Sequence, residues 1–293
     1  MNELMTRELP AELARHLARL LKRTRRRYRK RLAVCQEQFS ETAVHELRVE
    51  TRRALALLNL VMALNLSDAP KKPRRILKQR LDAFDELRDA QVELRLIAPW
   101  LKKFPEAAEF EKFLQRRERE LITDVRREIR ALRSRRVERM LKSLGQDVAG
   151  TAEGDARPVR EVLRSSLNRA FDQVIALRRK IRRQDTETIH RTRIAFKKLR
   201  YLCELLHPLL PGMTARRLRQ MHAWQTRLGD IQDAEILLAQ MERAVKRSEV
   251  AVAAVKRLHA ALAQRLVFLV NRFMASADRL EQFQPYPSRQ RTP

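Results

Sequence analysis

The stretch His190-Arg-Thr-Arg193-Ile-Ala-Phe-Lys197-Lys198-Leu199-Arg200-Tyr201 decides how this chain is read. It holds neither Gly nor Pro, and its cations recur at intervals of three and four residues. At 100° per residue, His190, Arg193, Lys197 and Arg200 fall within about an 80° arc of a single helix. A matching stretch lies earlier in the chain: His45-Glu-Leu-Arg48-Val-Glu-Thr-Arg52-Arg53. Each reads His-x-x-Arg, then a β-branched residue, two further residues and a basic pair. A second matched block follows each: Leu87-Arg88-Asp89-Ala90 after the first and Ile231-Gln232-Asp233-Ala234 after the second. The aspartate stands 44 residues after the histidine in one case and 43 in the other. Two blocks in the same order at nearly the same spacing point to an internal duplication.

Outside these blocks the chain is helical in character almost throughout. Its 293 residues contain only five Gly and eleven Pro, while helix formers dominate. A first helix opened by Pro10 is expected to run to about Gln38, with Ser40 capping a second that ends near Asn65. Leu66-Ser67-Asp68-Ala69-Pro70 reads as a loop. A third and a fourth helix are expected to part near Asp89 and to end at Ala98-Pro99. Glu106 to about Lys142 reads as one or two charged helices, and Gly145 to Pro158 as the clear linker. In the second half, breaks are expected near Asp185, at Pro208–Gly212, at Gly229 and at Lys246–Ser248. The expected organisation is a first repeat over 1–148, a linker over 149–157, a second repeat over 158–280 and a flexible tail over 281–293. The fold class is all-α, with one four-helix unit from each half and the two packed about a pseudo-twofold axis.

Charge is the strongest compositional signal. Sixty-four Lys and Arg against 36 Asp and Glu leave a net charge of +28. A surplus of that size repels itself, so polyanionic partners come first: nucleic acid, a phosphate polymer or an anionic membrane face. A basic surface with no partner is the bland alternative. Cys35 and Cys203 show no metal-ligand spacing and suit a reducing compartment as small packed residues. No apolar run approaches the roughly 18 residues of a membrane span and the N-terminus has no signal pattern, so a cytoplasmic protein is expected.

The two basic stripes, His45, Arg48 and Arg52 in one repeat and His190, Arg193, Lys197 and Arg200 in the other, suit an extended anion better than a compact molecule. Arg53 and Lys198 widen them. Apolar residues surround both helices, so the stripes are expected to face a shared wet groove. The competing reading pairs these cations with Asp89, Asp233 and nearby Glu. The two aspartates are expected to orient arginines while a ligand takes the remaining donors. Leu13 to Gln36 contains no acidic residue, and its Arg19, Lys22 and Arg26, with Arg179 and Arg182 from a second cluster, are expected to deliver charge to the same groove. Such runs are also ordinary solvated faces. His45 and His190 stand out by their repeated context, as ligand contacts or as structural residues. His16, His207, His222 and His259 have no such context. No His-x3-His metal spacing, phosphate loop, nucleophile elbow or Cys-x-x-Cys pair occurs, so no catalytic residue, metal or cofactor is expected.

The two histidine motifs and the aspartate blocks within 87–92 and 228–236 resemble the CHAD domain, the conserved histidine α-helical domain. The likeness covers about residues 10–280, and the first repeat departs from it at Ala54-Leu55, where the second has Leu199-Arg200. The resemblance implies a pseudo-twofold pair of four-helix bundles binding inorganic polyphosphate along a basic central channel, and targeting to polyphosphate granules. Many relatives also carry a triphosphate-processing CYTH domain marked by Glu-x-Glu-x-Lys. That motif does not occur here, so a stand-alone, non-enzymatic polyphosphate binder is expected. Nonspecific nucleic-acid binding is the alternative, and weak affinity of that kind is expected from charge alone. Aromatics are only 5% of the chain and do not interleave with the basic stripes, which argues against base stacking.

Overall fold

The computed structural model describes residues 11–64, 71–82, 84–150, 156–210 and 212–285. Among these are ten α-helices, four short 3₁₀ segments and no strand. The helices are α1 (Ala11–Glu37), α2 (Glu41–Ala63), α3 (Lys71–Asp82), α4 (Asp85–Ile97), α5 (Ala108–Ala131), α6 (Arg135–Gly150), α7 (Ala156–Arg179), α8 (Thr186–Leu206), α9 (Ala215–Lys246) and α10 (Val252–Met274).

Local signals account for many of the boundaries. The Ser40 hydroxyl accepts from the Ala43 amide at 3.2 Å and starts α2, and Thr214 does the same for α9 through Arg217. Gly212, at φ 81°, turns the chain ahead of α9, and Ser248, at φ 57°, turns it after α9. Pro10, the 66–70 loop and most of the tail lie outside the described residues.

Several expected breaks fall elsewhere. The third and fourth helices part at residues 82–85, so Asp89 sits inside α4. Phe84, 2% exposed, anchors that junction. Gly229 does not break the chain: α9 runs unbroken for 32 residues. One helical glycine costs about 1 kcal/mol, and buried Leu228 and Ile231 on either side of Gly229 offset it by packing. Gly145 and Gly150 belong to α6, and α7 begins before Pro158, while residues 151–155 of the expected linker lie outside the described residues. The expected tail from 281 is anchored at its start, because Phe283 closes a 3₁₀ segment (Ala277–Phe283) and is 1% exposed.

The halves do not hold separate cores. The larger buried cluster draws on α1 and α2 as well as α8 and α9, and the smaller joins Ile97, Phe110 and Leu114 to Leu237, Met241 and Leu258. Helix α4 packs on α5 and also on α9, and α2 packs on α8. Among the described residues the first half carries six α-helices and the second half four, where one four-helix unit from each half is expected. Both cysteines are buried, with burial raising the Cys35 thiol to about 11 and the Cys203 thiol to about 12.

Candidate functional site

The packing of α2 on α8 brings the two histidine motifs together. Lys197 is the centre of the meeting. Burial first, then Arg52, Arg193 and Arg48, push its ammonium down to about 7, with Asp85 the opposing charge. Burial likewise lowers Arg193, which senses Asp233 and Asp89 as counter-charges and Arg52 as a like charge. Its Nε is buried with no hydrogen-bond partner. Four cations from two helices therefore share one site, and one of them has an unfilled donor.

Carboxylates meet these cations, though not quite as expected. Arg48, 3% exposed, donates from Nη2 to Asp85 at 2.6 Å and from Nη1 to the Leu81 carbonyl at 3.4 Å. Arg52 lies 3.9 Å from the same Asp85 oxygen. The carboxylate in contact with both motif arginines of the first repeat is thus Asp85, one helical turn before Asp89. Neither Asp89 nor Asp233 is joined to a described arginine by a hydrogen bond or ion pair. They act through charge: burial raises both carboxyls, and each is drawn back by an arginine, Arg48 for Asp89 and Arg193 for Asp233. Asp89 also feels Asp233, which places the α4 and α9 aspartates in one electrostatic neighbourhood.

The histidines take different roles. His45 is largely exposed, and partial desolvation by its neighbours, then the charges of Arg88, Arg48, Arg52 and Arg95, lower its imidazole below the usual value. His190 is half-buried and its Nδ1 is bonded to the Gln232 side chain of α9. His16, left open by the sequence, is a core residue whose Nε2 bonds the Leu205 carbonyl at 2.7 Å and ties α1 to α8.

Other candidates separate from this centre. Arg200 is buried: its Nε donates to Gln225 at 2.7 Å, its Nη1 pairs with Glu204, and its guanidinium stacks on Tyr201 at 4.7 Å. It ties α8 to α9 rather than extending a free stripe. Arg53 turns to Glu50 at 2.5 Å and lines a cleft of about 300 Å³ with Arg23, Arg27 and Tyr201. On α1 it is Arg23 and Arg27 that reach this cleft, whereas Arg19, Lys22 and Arg26 lie exposed on an adjacent face. Lys198 is exposed. Arg179 and Arg182 line a different cleft at the α7–α8 turn and do not reach the central cluster.

Sequence reasoning missed Asp85, Arg88 and Arg95. Arg88 pairs with Glu41 at 2.9 Å and Arg95 lies 3.8 Å from it, so both join α4 to the start of α2. A signal existed: Arg88 and Asp89 stand three and four residues after Asp85, and Arg95 stands two turns after Arg88 on the same side of α4. Among the described residues no group of three or more His, Cys, Asp or Glu could hold a metal ion, and no helix is long and apolar enough to cross a membrane.

The described residues are all-helical, and the two histidine–arginine motifs meet where α2 packs on α8. A model of the CHAD domain family matches residues 30–242, well over half of the chain, and the chain belongs to that family. Its fold is similar to that in the crystal structure of the CHAD domain from the plant Ricinus communis, with a TM-score of 0.66 at 18% identity. The match covers 94% of this chain and 91% of the plant one. No curated protein matches.

Proposed function

We propose that the chain binds inorganic polyphosphate at the α2–α8 cluster without acting on it, as a cytoplasmic scaffolding or granule-associated protein built from two related halves. The observation that carries this reading is the convergence of Arg48, Arg52, Arg193 and Lys197 from the two motifs. Burying like charges together is unfavourable, and a phosphate chain relieves it by supplying oxygens to several cations at once. Binding then combines counterion release with charge-assisted hydrogen bonds. Membership of a family associated with polyphosphate supports the same ligand.

Competition titration tests the choice of polymer. Labelled long-chain polyphosphate is expected to resist displacement by duplex or single-stranded DNA by at least about a hundredfold, and to remain bound when salt rises above physiological. Equal competition by DNA, with both falling together in salt, would make the +28 charge a generic field and move the reading to nucleic acid.

Binding is also expected to take up a proton. Free Lys197 titrates near 7, and a neighbouring phosphate favours the charged amine, so its value rises on binding. Below pH 7 both states carry the proton and this group adds no pH dependence. Above 7 the free form loses it while the bound form keeps it, so affinity falls with rising pH, by at most about tenfold per unit. Calorimetry near pH 8 in buffers of different ionisation heat reads this uptake. Lys197→Arg, charged throughout, should abolish it, whereas the chain-end phosphates contribute equally in both proteins. Equal uptake in the two proteins would remove Lys197 from the binding site.

A further inference from the structure

A cleft of about 590 Å³ lies at the turn between α7 and α8, lined by Arg179, Lys180, Arg182 and Arg191 with Asp185 and Thr188. Four cations thus face one carboxylate. Helical geometry sets this cleft apart from the central cluster. At 100° per residue, Thr188 and Arg191 lie about 120–180° around α8 from Arg193 and Lys197. The two basic surfaces look out from opposite sides of the same helix.

The turn is held in place. Thr188 is 7% exposed, and its hydroxyl accepts from the Arg182 amide at 3.0 Å and donates to the Asp185 carbonyl at 2.5 Å. The Asp185 amide donates to the Arg182 carbonyl at 3.1 Å. Leu177 and Ile181 pack on the main core beneath the turn. Arg178 is drawn aside to Asp278 at 3.0 Å. Arg179, Lys180 and Arg182 form no ion pair among the described residues. Arg191 has the exposed Glu187 at 3.7 Å, a pairing of little strength in water. A fixed turn therefore presents unfilled guanidinium and ammonium donors, and no aromatic ring lines the cleft to stack a base.

We propose that this cleft is a second phosphate site, which takes a compact oligophosphate group, either a free short oligophosphate or a segment of a long chain. Guanidinium forks match phosphate oxygens, and a cleft of about 590 Å³ suits a compact group of them. Its position makes the protein bivalent. Taken with the central polyphosphate reading, on which this consequence rests, two sites on opposite sides of α8 let one molecule bridge separate phosphate chains.

Tripolyphosphate is the probe, titrated by calorimetry at near-physiological salt into Arg193→Glu/Lys197→Glu protein, where the central cluster is disabled. One tripolyphosphate per chain is expected. Adding Arg179→Glu with Arg182→Glu should weaken it at least tenfold, whereas Arg216→Glu with Arg219→Glu, exposed cations on α9 outside the cleft, should change it less than threefold. Absence of binding in the first background, or equal loss from the two added pairs, overturns the site. Should the first background lose helicity, Arg193→Gln with Lys197→Gln replaces it. With long-chain polyphosphate, Arg179→Glu/Arg182→Glu protein should still bind but scatter less light than the unaltered protein, and unchanged scattering overturns the bridging role. If tripolyphosphate occupies the cleft while long chains ignore the central cluster, the cleft stands and the central reading falls.

Discussion

Replacing Arg193 and Lys197 together by Glu is expected to weaken polyphosphate binding by about a hundredfold or more while leaving the helical content unchanged. A hydrogen bond to a charged group contributes about 1.5–3 kcal/mol, and two are lost at once. The new carboxylates also repel the ligand. The salt dependence should flatten, because each lost phosphate contact lowers the logarithmic slope by about 0.7 for a flexible single chain. The fold is expected to survive because neither side chain is fully buried and neither makes an ion pair among the described residues. The introduced glutamates would face Arg48 and Arg52, though Asp85, Asp89 and Asp233 are near enough to offset part of that attraction. Titration against labelled polyphosphate, with circular dichroism as the check on folding, reads the result. A folded double variant with unaltered affinity would place the ligand elsewhere.

Phe196→Ala is expected to destabilise the protein by about 3–5 kcal/mol, the usual cost of deleting a buried phenyl ring and leaving its cavity. Phe196 is 0% exposed and stands next to Lys197 in the chain. Its ring centroid lies 4.3 Å from that of Trp224 on α9 and 5.7 Å from that of Phe283, and Trp224 meets Phe273 of α10 edge-on at 5.4 Å. This cluster sets α8 against three other elements, so it also sets where Lys197 and Arg193 stand. Thermal melting should fall by roughly 6–20 °C for a chain of this size. Phe283→Ala, at the start of the expected tail, should show a smaller loss in the same direction. A change of under about 1 kcal/mol for Phe196→Ala would show that the four rings are not packed as described.

Sequence spacing made much of the site legible. The His-x-x-Arg motifs, the aspartate blocks and the Ser40 cap are all features within four residues, where helix geometry alone decides which side chains are neighbours. The same logic identified Arg48, Arg52, Arg193 and Lys197 as members of two stripes. It also singled out Asp89 and Asp233 as orienting carboxylates, whereas the carboxylate that contacts Arg48 is Asp85. Asp85 and Asp89 occupy nearly the same face of α4, one turn apart, and only the height of α4 against α2 selects between them. Arg200 shows the same limit. Its spacing joins it to the stripe, yet Gln225 and Glu204 claim its donors.

By itself the sequence determined that the protein is helical, strongly basic and marked by two related motifs, since composition and 3.6-residue periodicity are local properties. Tertiary structure alone decided that α2 meets α8, that both halves share their cores, and that Arg179 and Arg182 open onto a cleft away from Lys197. The physical reason is that helix packing is fixed by apolar surfaces meeting across long sequence separations. Those surfaces set the height and rotation of each helix, and a shift of one turn or half a turn changes the partner of every charged side chain it carries.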